Sequence, residues 1–246
     1  MLTRLKVAVG AIAITSLCFV VMVGIVAAAE APPPFIEAWG GDEGKKGTDN
    51  GEFNNPNGVA IDTAGNVYVA DSTNYRIQKF TAAGEWLWSF GDIDTFGGNP
   101  TMGPKGIDVD ASGNIYVTNR YAKTVQVYED PLGDGNLNLI SSIPASVLSS
   151  PCDIAVDGSG DIYVTEQNNH RVRKFTPSQG VGFVEVQGDG VDGLDKAYSV
   201  TVSPDGNHLY TAAFVDDAVV VFSRNSSTGA LTFVEVHKDT DDGVDG

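Results

Sequence analysis

The sequence predicts an all-β protein, a β-propeller assembled from four-stranded antiparallel blades. Two observations predict it: one unit occurs four times along the chain, and apolar side chains in each unit alternate with polar ones at the period of a β-strand. The four copies are most similar over Gly58–Asp71, Gly106–Asn119, Asp153–Glu166 and Ser199–Ala213. The same alternation excludes a helical solenoid, whose apolar positions would recur every three or four residues.

The spacing of tyrosine residues gives the length of the unit. Tyr68, Tyr116, Tyr163 and Tyr210 follow one another at 48, 47 and 47 residues. A unit of this length that holds four short strands has the size of one propeller blade. In the first unit the strands are expected near Val59–Ile61, Val67–Val69, Arg76–Phe80 and Trp86–Phe90.

The chain is expected to have three parts. Residues 1–29 are predicted to form a signal peptide or N-terminal membrane anchor, and residues 30–55 a linker with one outer strand of the first blade. Within the repeat region 56–246, blades are expected at residues 56–91, 104–143, 151–188 and 198–237. Because Asp241–Gly246 resembles Gly188–Gly193 ahead of the fourth blade, a further blade is expected. We therefore interpret the chain as a fragment, or as a ring completed by another chain, whose open blade edges favour self-association.

The N-terminal segment predicts export. Arg4 and Lys6 precede an uncharged apolar run, Val7–Ala29, that ends in small residues as a signal peptide does. The run has 23 residues, which is also enough for an apolar helix to span a bilayer of ~30 Å, so an uncleaved anchor remains open. We expect a secreted or periplasmic protein, or one anchored on the outer side of the cytoplasmic membrane, with membrane contact only through this segment.

Charge and cysteine content limit the partners and the sources of stability. The formal net charge of -17 opposes binding to phosphate backbones, so no nucleic acid partner is expected. Removal of the signal segment, which contains Cys18, leaves Cys152 as the single cysteine. No intrachain disulfide is then expected, and Cys152 is interpreted as a small residue at a strand start.

The repeats resemble a known propeller family. Asn74–Phe80 (NYRIQKF) and Asn169–Phe175 (NHRVRKF) resemble the NHL repeat, whose propellers typically have six blades. The fourth unit, with Ser203–Tyr210 (SPDGNHLY) and Thr228–Leu231 (TGAL), is similar to repeats of the seven-bladed YVTN and lactonase type. The resemblance implies about four blades of an incomplete six- or seven-bladed ring. It does not select an activity, because both families contain binding modules and enzymes.

The positions of residues within the repeat predict which side chains lie on one rim of the propeller. The loops from the second to the third strand of a blade, and from the fourth strand to the next blade, share that rim. The ends of the second strands supply Asp71, Asn119 and Glu166, and the entries to the first strands supply Asn57, Lys105, Asp153 and Tyr198. Asp71, Asn119, Asp153 and Glu166 are the candidate ligands for a metal, because Ca²⁺ prefers carboxylate and amide oxygens. The alternative is that the strand-end residues accept hydrogen bonds in turns.

Two functions remain after these exclusions. We interpret the chain as a binding module for a protein, peptide or carbohydrate on the propeller rim, because the scaffold repeats while the loops differ between units. The alternative is a divalent-metal-dependent hydrolase or lyase. Resemblance to gluconolactonase-like propellers implies that a divalent ion would polarise a lactone carbonyl there while an acidic residue handles the proton.

Overall fold

A computed structural model describes residues 46–96, 103–176, 183–188 and 191–238 of the chain. The predicted apolar helix of residues 1–29 and the predicted strand at Phe35–Gly40 lie outside these residues, as does Asp241–Gly246. The described residues belong to one compact unit, Ala38–Gly246. Across the described ranges, no helix has the length and apolar character needed to cross a membrane.

The described residues form four antiparallel sheets, here named blades 1 to 4. Blade 1 contains β1 (Pro56–Ile61), β2 (Val67–Asp71), β3 (Arg76–Phe80) and β4 (Trp86–Phe90). Blade 2 contains β5 (Pro104–Val109), β6 (Ile115–Asn119), β7 (Thr124–Glu129) and β8 (Asn138–Ile143). Blade 3 contains β9 (Pro151–Val156), β10 (Ile162–Glu166), β11 (Arg171–Phe175) and β12 (Phe183–Gln187). Blade 4 contains β13 (Ala197–Val202), β14 (His208–Ala213), β15 (Ala218–Arg224) and β16 (Leu231–Lys238).

The strands in each blade are hydrogen-bonded in the order in which they occur in the sequence. This confirms the prediction of an all-β protein with four-stranded antiparallel blades. One short helix, α1 (Ile93–Phe96), follows blade 1. The first strands of consecutive blades lie beside one another, β1 by β5, β5 by β9 and β9 by β13. The entries to these strands are therefore brought to a common axis.

An aspartate at the start of each of the first three hairpins organises the turn between the first two strands. In blade 1, Asp62 accepts hydrogen bonds from the backbone N–H groups of Ala64 and Asn66, at 2.9 and 2.8 Å. It also accepts from the Tyr68 hydroxyl at 3.1 Å. Gly65 adopts a φ of 85°, which a residue with a Cβ would adopt only with strain. These contacts explain why the repeat keeps Asp, Gly and Tyr at fixed spacing.

Apolar side chains fill the space between consecutive blades. Three clusters of buried residues lie between blades 1 and 2, 2 and 3, and 3 and 4. Polar contacts join the same interfaces near the axis. The Thr118 hydroxyl donates to the Cys152 carbonyl at 2.9 Å, and the Thr165 hydroxyl donates to the Tyr198 carbonyl at 3.1 Å. The second strands of blades 2 and 3 are thereby linked to the first strand of the following blade.

Candidate functional site

The entries to the first strands of all four blades line one cavity, here called the axial cavity. Its volume is about 200 Å³, and its walls include Asn57, Lys105, Asp153 and Tyr198, one residue from each blade. Cys152 and Ser199 also contribute to the wall. From their positions in the sequence, these four residues were predicted to lie on one rim, and the structure brings them together.

Lys105 crosses the axial cavity. Its ammonium group donates hydrogen bonds to Asn57 Oδ1 of blade 1 at 2.9 Å and to the Tyr198 hydroxyl of blade 4 at 2.8 Å. The same nitrogen lies 4.8 Å from the centroid of the Tyr198 ring, within the range of a cation–π contact. Both hydrogen-bond acceptors are neutral. Among the described residues, Lys105 has no ion-pair partner within 4 Å, so its positive charge is not neutralised by a direct contact.

Asp153 forms a second polar wall of the axial cavity. Its Oδ2 accepts hydrogen bonds from the Ser199 hydroxyl at 2.7 Å and from the Val200 N–H at 3.0 Å. Burial raises the pKa of the Asp153 carboxyl, while these hydrogen bonds and the charge of Lys105 oppose the rise. The side chain therefore links blade 3 to blade 4 and keeps one acidic group close to the Lys105 cation.

Replacing Lys105 with methionine is expected to raise the pKa of Asp153 further, because the nearby positive charge that favours the carboxylate is lost. The sign of the stability effect follows from linkage. When a carboxyl has a raised pKa in the folded state, the free energy of unfolding of the protein falls as the pH rises from about 4 through that pKa. In Lys105→Met this loss should extend to higher pH, as measured by carboxyl ¹³C NMR titration and by urea unfolding. Lys46→Met is the control, and an unchanged Asp153 titration in Lys105→Met would contradict the prediction.

Asp71, a predicted metal ligand, is fully buried in a network of protein donors. Its Oδ1 accepts from the Asn54 N–H at 2.7 Å. Its Oδ2 accepts from Asn74 Nδ2 at 2.8 Å, from Arg76 Nε at 2.9 Å and from Gln78 Nε2 at 3.2 Å. These contacts fasten the segment before blade 1 to the end of β2, which is a structural role.

Glu166 and Asn119 have equivalent roles in the next two blades. The Glu166 carboxylate accepts from the Ser149 N–H at 2.5 Å and from Arg171 Nε at 2.5 Å. Asn119 accepts from the Ala122 N–H at 3.0 Å and donates to the Phe96 carbonyl at 3.3 Å. In both cases the side chain ties the connection that precedes a blade to the second strand of that blade.

The four candidate metal ligands do not form one cluster of side chains. Asp71, Asn119 and Glu166 each serve a separate network in a different blade, whereas Asp153 lies at the axial cavity. Over the part of the chain that the structure describes, no group of three or more His, Cys, Asp or Glu side chains is placed to hold a metal ion. Among the strand-end residues, Asn119 accepts a hydrogen bond from a turn N–H, whereas Asp71 and Glu166 accept from preceding segments and from arginine side chains.

Sequence reasoning gave little weight to Lys105 and Tyr198, which make the central contacts of the cavity. Lys105 and Tyr198 are 93 positions apart, and only the packing of blades 2 and 4 about the axis joins them. The signal that was available is the shared position in the repeat, since both residues stand at the entry to a first strand.

The sequence matches the NHL repeat family at residues 53–80, 101–128 and 148–175, which fall in blades 1, 2 and 3. Human NHL repeat-containing protein 3 is 45% identical over 53 residues, which are 21% of this chain and 15% of the human protein. The chain thus matches only a small part of that relative.

Solved structures share the fold at low identity. Virginiamycin B lyase from Staphylococcus aureus is 17% identical with a TM-score of 0.51, over 72% of this chain and 54% of the lyase. A chain from a nidogen–laminin complex is 20% identical with a TM-score of 0.55, over 76% of this chain and 64% of that chain. At these identities the likeness concerns the propeller fold alone. The chain spans less than two thirds of each of these structures.

Proposed function

We propose that this chain, a β-propeller built from NHL repeats, is an extracytoplasmic binding module for a protein, peptide or carbohydrate. The axial cavity would receive one oxygen-rich group of the ligand, such as a carboxylate or a sugar hydroxyl. The observation that carries the proposal is that the four first-strand entries meet at one cavity, where Asn57 and Tyr198 hold the Lys105 ammonium group.

The chemistry of the axial cavity favours an anionic or hydrogen-bonding ligand. Lys105 contributes a positive charge that is held by two neutral acceptors, Asn57 and Tyr198. A ligand carboxylate that replaced either acceptor would keep the hydrogen bond and add the attraction between opposite charges. The small volume of the cavity, about 200 Å³, suits a single functional group and leaves the rest of a ligand outside.

Exposed aromatic residues lie on the same rim as the cavity. Tyr121, in the β6–β7 turn, and Phe214, in the β14–β15 turn, are both exposed. Aromatic side chains are enriched in binding interfaces because they bury a large area at a small entropic cost. A ligand anchored at Lys105 would extend over these turns, which differ in sequence between blades.

The alternative of a metal-dependent lactonase-like hydrolase has weaker support. Its candidate ligands Asp71, Asn119 and Glu166 are occupied by protein hydrogen bonds, and the lyase among the structural neighbours is similar only in fold. Turnover of a lactone panel by the purified chain, dependent on added Ca²⁺, would favour this alternative over the binding module.

The test is a binding screen followed by calorimetry. The chain is applied to arrays of peptides and oligosaccharides that include acidic members, and the affinity of each hit is measured for three proteins. These are the unaltered chain, Lys105→Met and the matched control Lys46→Met. Loss of a charged hydrogen bond is expected to weaken binding by roughly 10- to 100-fold in Lys105→Met. Hits that bind all three proteins equally, or an absence of hits, would refute the role of the axial cavity.

A further inference from the structure

The three blade-to-blade interfaces inside the chain use the same positions of the repeat. Each blade has a C-face, toward the next blade in sequence, and an N-face, toward the previous blade. Between blades 1 and 2, the C-face residues Tyr68 and Ile77 share one apolar cluster with the N-face residues Ile107 and Ile115. The equivalent residues are Tyr116, Val125, Ile154 and Ile162 between blades 2 and 3, and Tyr163, Val172, Val200 and Leu209 between blades 3 and 4.

Blade 4 carries the same apolar residues on its C-face, but they are exposed. Tyr210 occupies the position of Tyr163 on the second strand, and Val219 that of Val172 on the third. Tyr210 is 37% exposed and Val219 is 42% exposed, whereas every equivalent side chain in blades 1 to 3 is at most 5% exposed. The C-face of blade 4 is therefore a blade-packing surface without a neighbouring blade in the described part of the chain.

The N-face of blade 1 also carries exposed apolar residues near the axis. Val59 is 65% exposed, whereas the equivalent residues Ile107, Ile154 and Val200 are at most 5% exposed. Ile61, two residues further along β1 and on the same face, is also 65% exposed. One chain thus presents both halves of the interface that it forms internally three times.

We propose that the C-face of blade 4 in one copy packs against the N-face of blade 1 in a second copy, and that two copies close one ring. The two faces match because the same pair of faces packs at each internal interface. Two sets of four blades stay within the range of four to eight blades that propellers adopt. The chain also spans just over half of the Staphylococcus aureus lyase, so two copies supply about one whole ring.

The geometry of this contact dictates how it must respond to mutation. A contact between two different faces is head-to-tail, and it forms a closed dimer only when the rotation between copies brings the second pair of faces together. A charge on either face should therefore disrupt both contacts of the ring. A dimer that joined two C-faces would instead be insensitive to changes on the N-face.

The test measures the mass of the purified chain by light scattering after size exclusion, over a range of protein concentration. The unaltered chain is expected at twice the mass of one chain. Val219→Glu on the C-face and Val59→Glu on the N-face should each weaken dimerisation by at least about 100-fold, because a carboxylate would be buried without a partner. Leu132→Glu is the matched control, since Leu132 is exposed in the β7–β8 turn away from both faces.

Each outcome decides the proposal. Loss of the dimer in both face variants, with an unchanged far-ultraviolet circular dichroism spectrum and an intact dimer in Leu132→Glu, supports it. An unaltered chain that stays monomeric overturns it, and points to further blades or another protein as the cover of these faces. Disruption by Val219→Glu alone overturns it in favour of a contact between two C-faces, and growth beyond two copies overturns ring closure.

Discussion

Replacing Arg224 with methionine is expected to lower the free energy of unfolding by about 3 to 5 kcal/mol, as is typical when one partner of a buried ion pair is removed. The Arg224 side chain of blade 4 and the Asp157 carboxylate of blade 3 are both buried and form an ion pair. Methionine preserves much of the apolar volume but leaves Asp157 without its cation. The loss is large beside a total stability of about 5 to 15 kcal/mol for a typical protein.

The Arg224 network also includes neutral groups, which strengthen the expected effect. Arg224 Nε donates to the Tyr163 hydroxyl at 2.9 Å, and Nη1 donates to the Gly206 carbonyl at 2.7 Å. The Tyr163 hydroxyl donates to the Gly229 carbonyl at 2.8 Å. Burial raises the pKa of Tyr163, so this hydroxyl stays protonated and keeps its role as a donor. Removal of the guanidinium thus disturbs both blades and the β15–β16 turn.

Urea unfolding followed by tryptophan fluorescence measures the effect of Arg224→Met. The matched control is Arg120→Met, because Arg120 is half-buried and donates one side-chain hydrogen bond, to Ser150 Oγ at 3.1 Å. The control should lose about 1 kcal/mol or less. Equal losses in the two variants would show that the Arg224–Asp157 pair contributes nothing beyond an ordinary surface arginine.

The second large effect is expected for Asp71→Ala, which should also cost about 3 to 5 kcal/mol of unfolding free energy. The substitution removes the buried partner of Arg76 and leaves the Asn54 N–H and the Gln78 amide without their shared acceptor. Arg76 keeps hydrogen bonds to the carbonyls of Thr48 and Glu52, which place its charge but do not neutralise it. The segment before blade 1 should therefore detach more easily from β2.

Asp71→Ala separates the structural role from a metal-binding role. If Asp71 serves the hydrogen-bond network, added Ca²⁺ should leave the unfolding midpoint unchanged in both the unaltered chain and the variant. Asp134→Ala, at an exposed position of the β7–β8 turn, is the control and should change stability far less. Stabilisation of the unaltered chain by Ca²⁺ that disappears in Asp71→Ala would instead restore Asp71 as a metal ligand.

The strands were predictable from sequence because their signals are local. The alternation of Val59 and Ile61, and the glycine at a positive φ in the turn at Gly65, act over a few residues and specify a hairpin without reference to distant parts of the chain. The repetition of these signals then specified four equivalent blades. The role of Asp71 was harder to predict, because its partner Asn54 lies 17 positions away, ahead of the first strand of the blade.

By itself, the sequence determined the number, type and order of the described strands, and it confined the candidate site to one rim of the propeller. Only the tertiary structure decided which rim residues meet. Lys105 reaches Tyr198 across 93 positions because blades 2 and 4 meet at the axis. Arg224 reaches Asp157 across 67 positions because blades 3 and 4 pack face to face. Tyr68 and Tyr210 hold the same place in the repeat, yet one is buried and the other exposed. The physical reason is that the alternation of side chains along a strand defines its two faces, while burial of either face depends on the blade that packs against it.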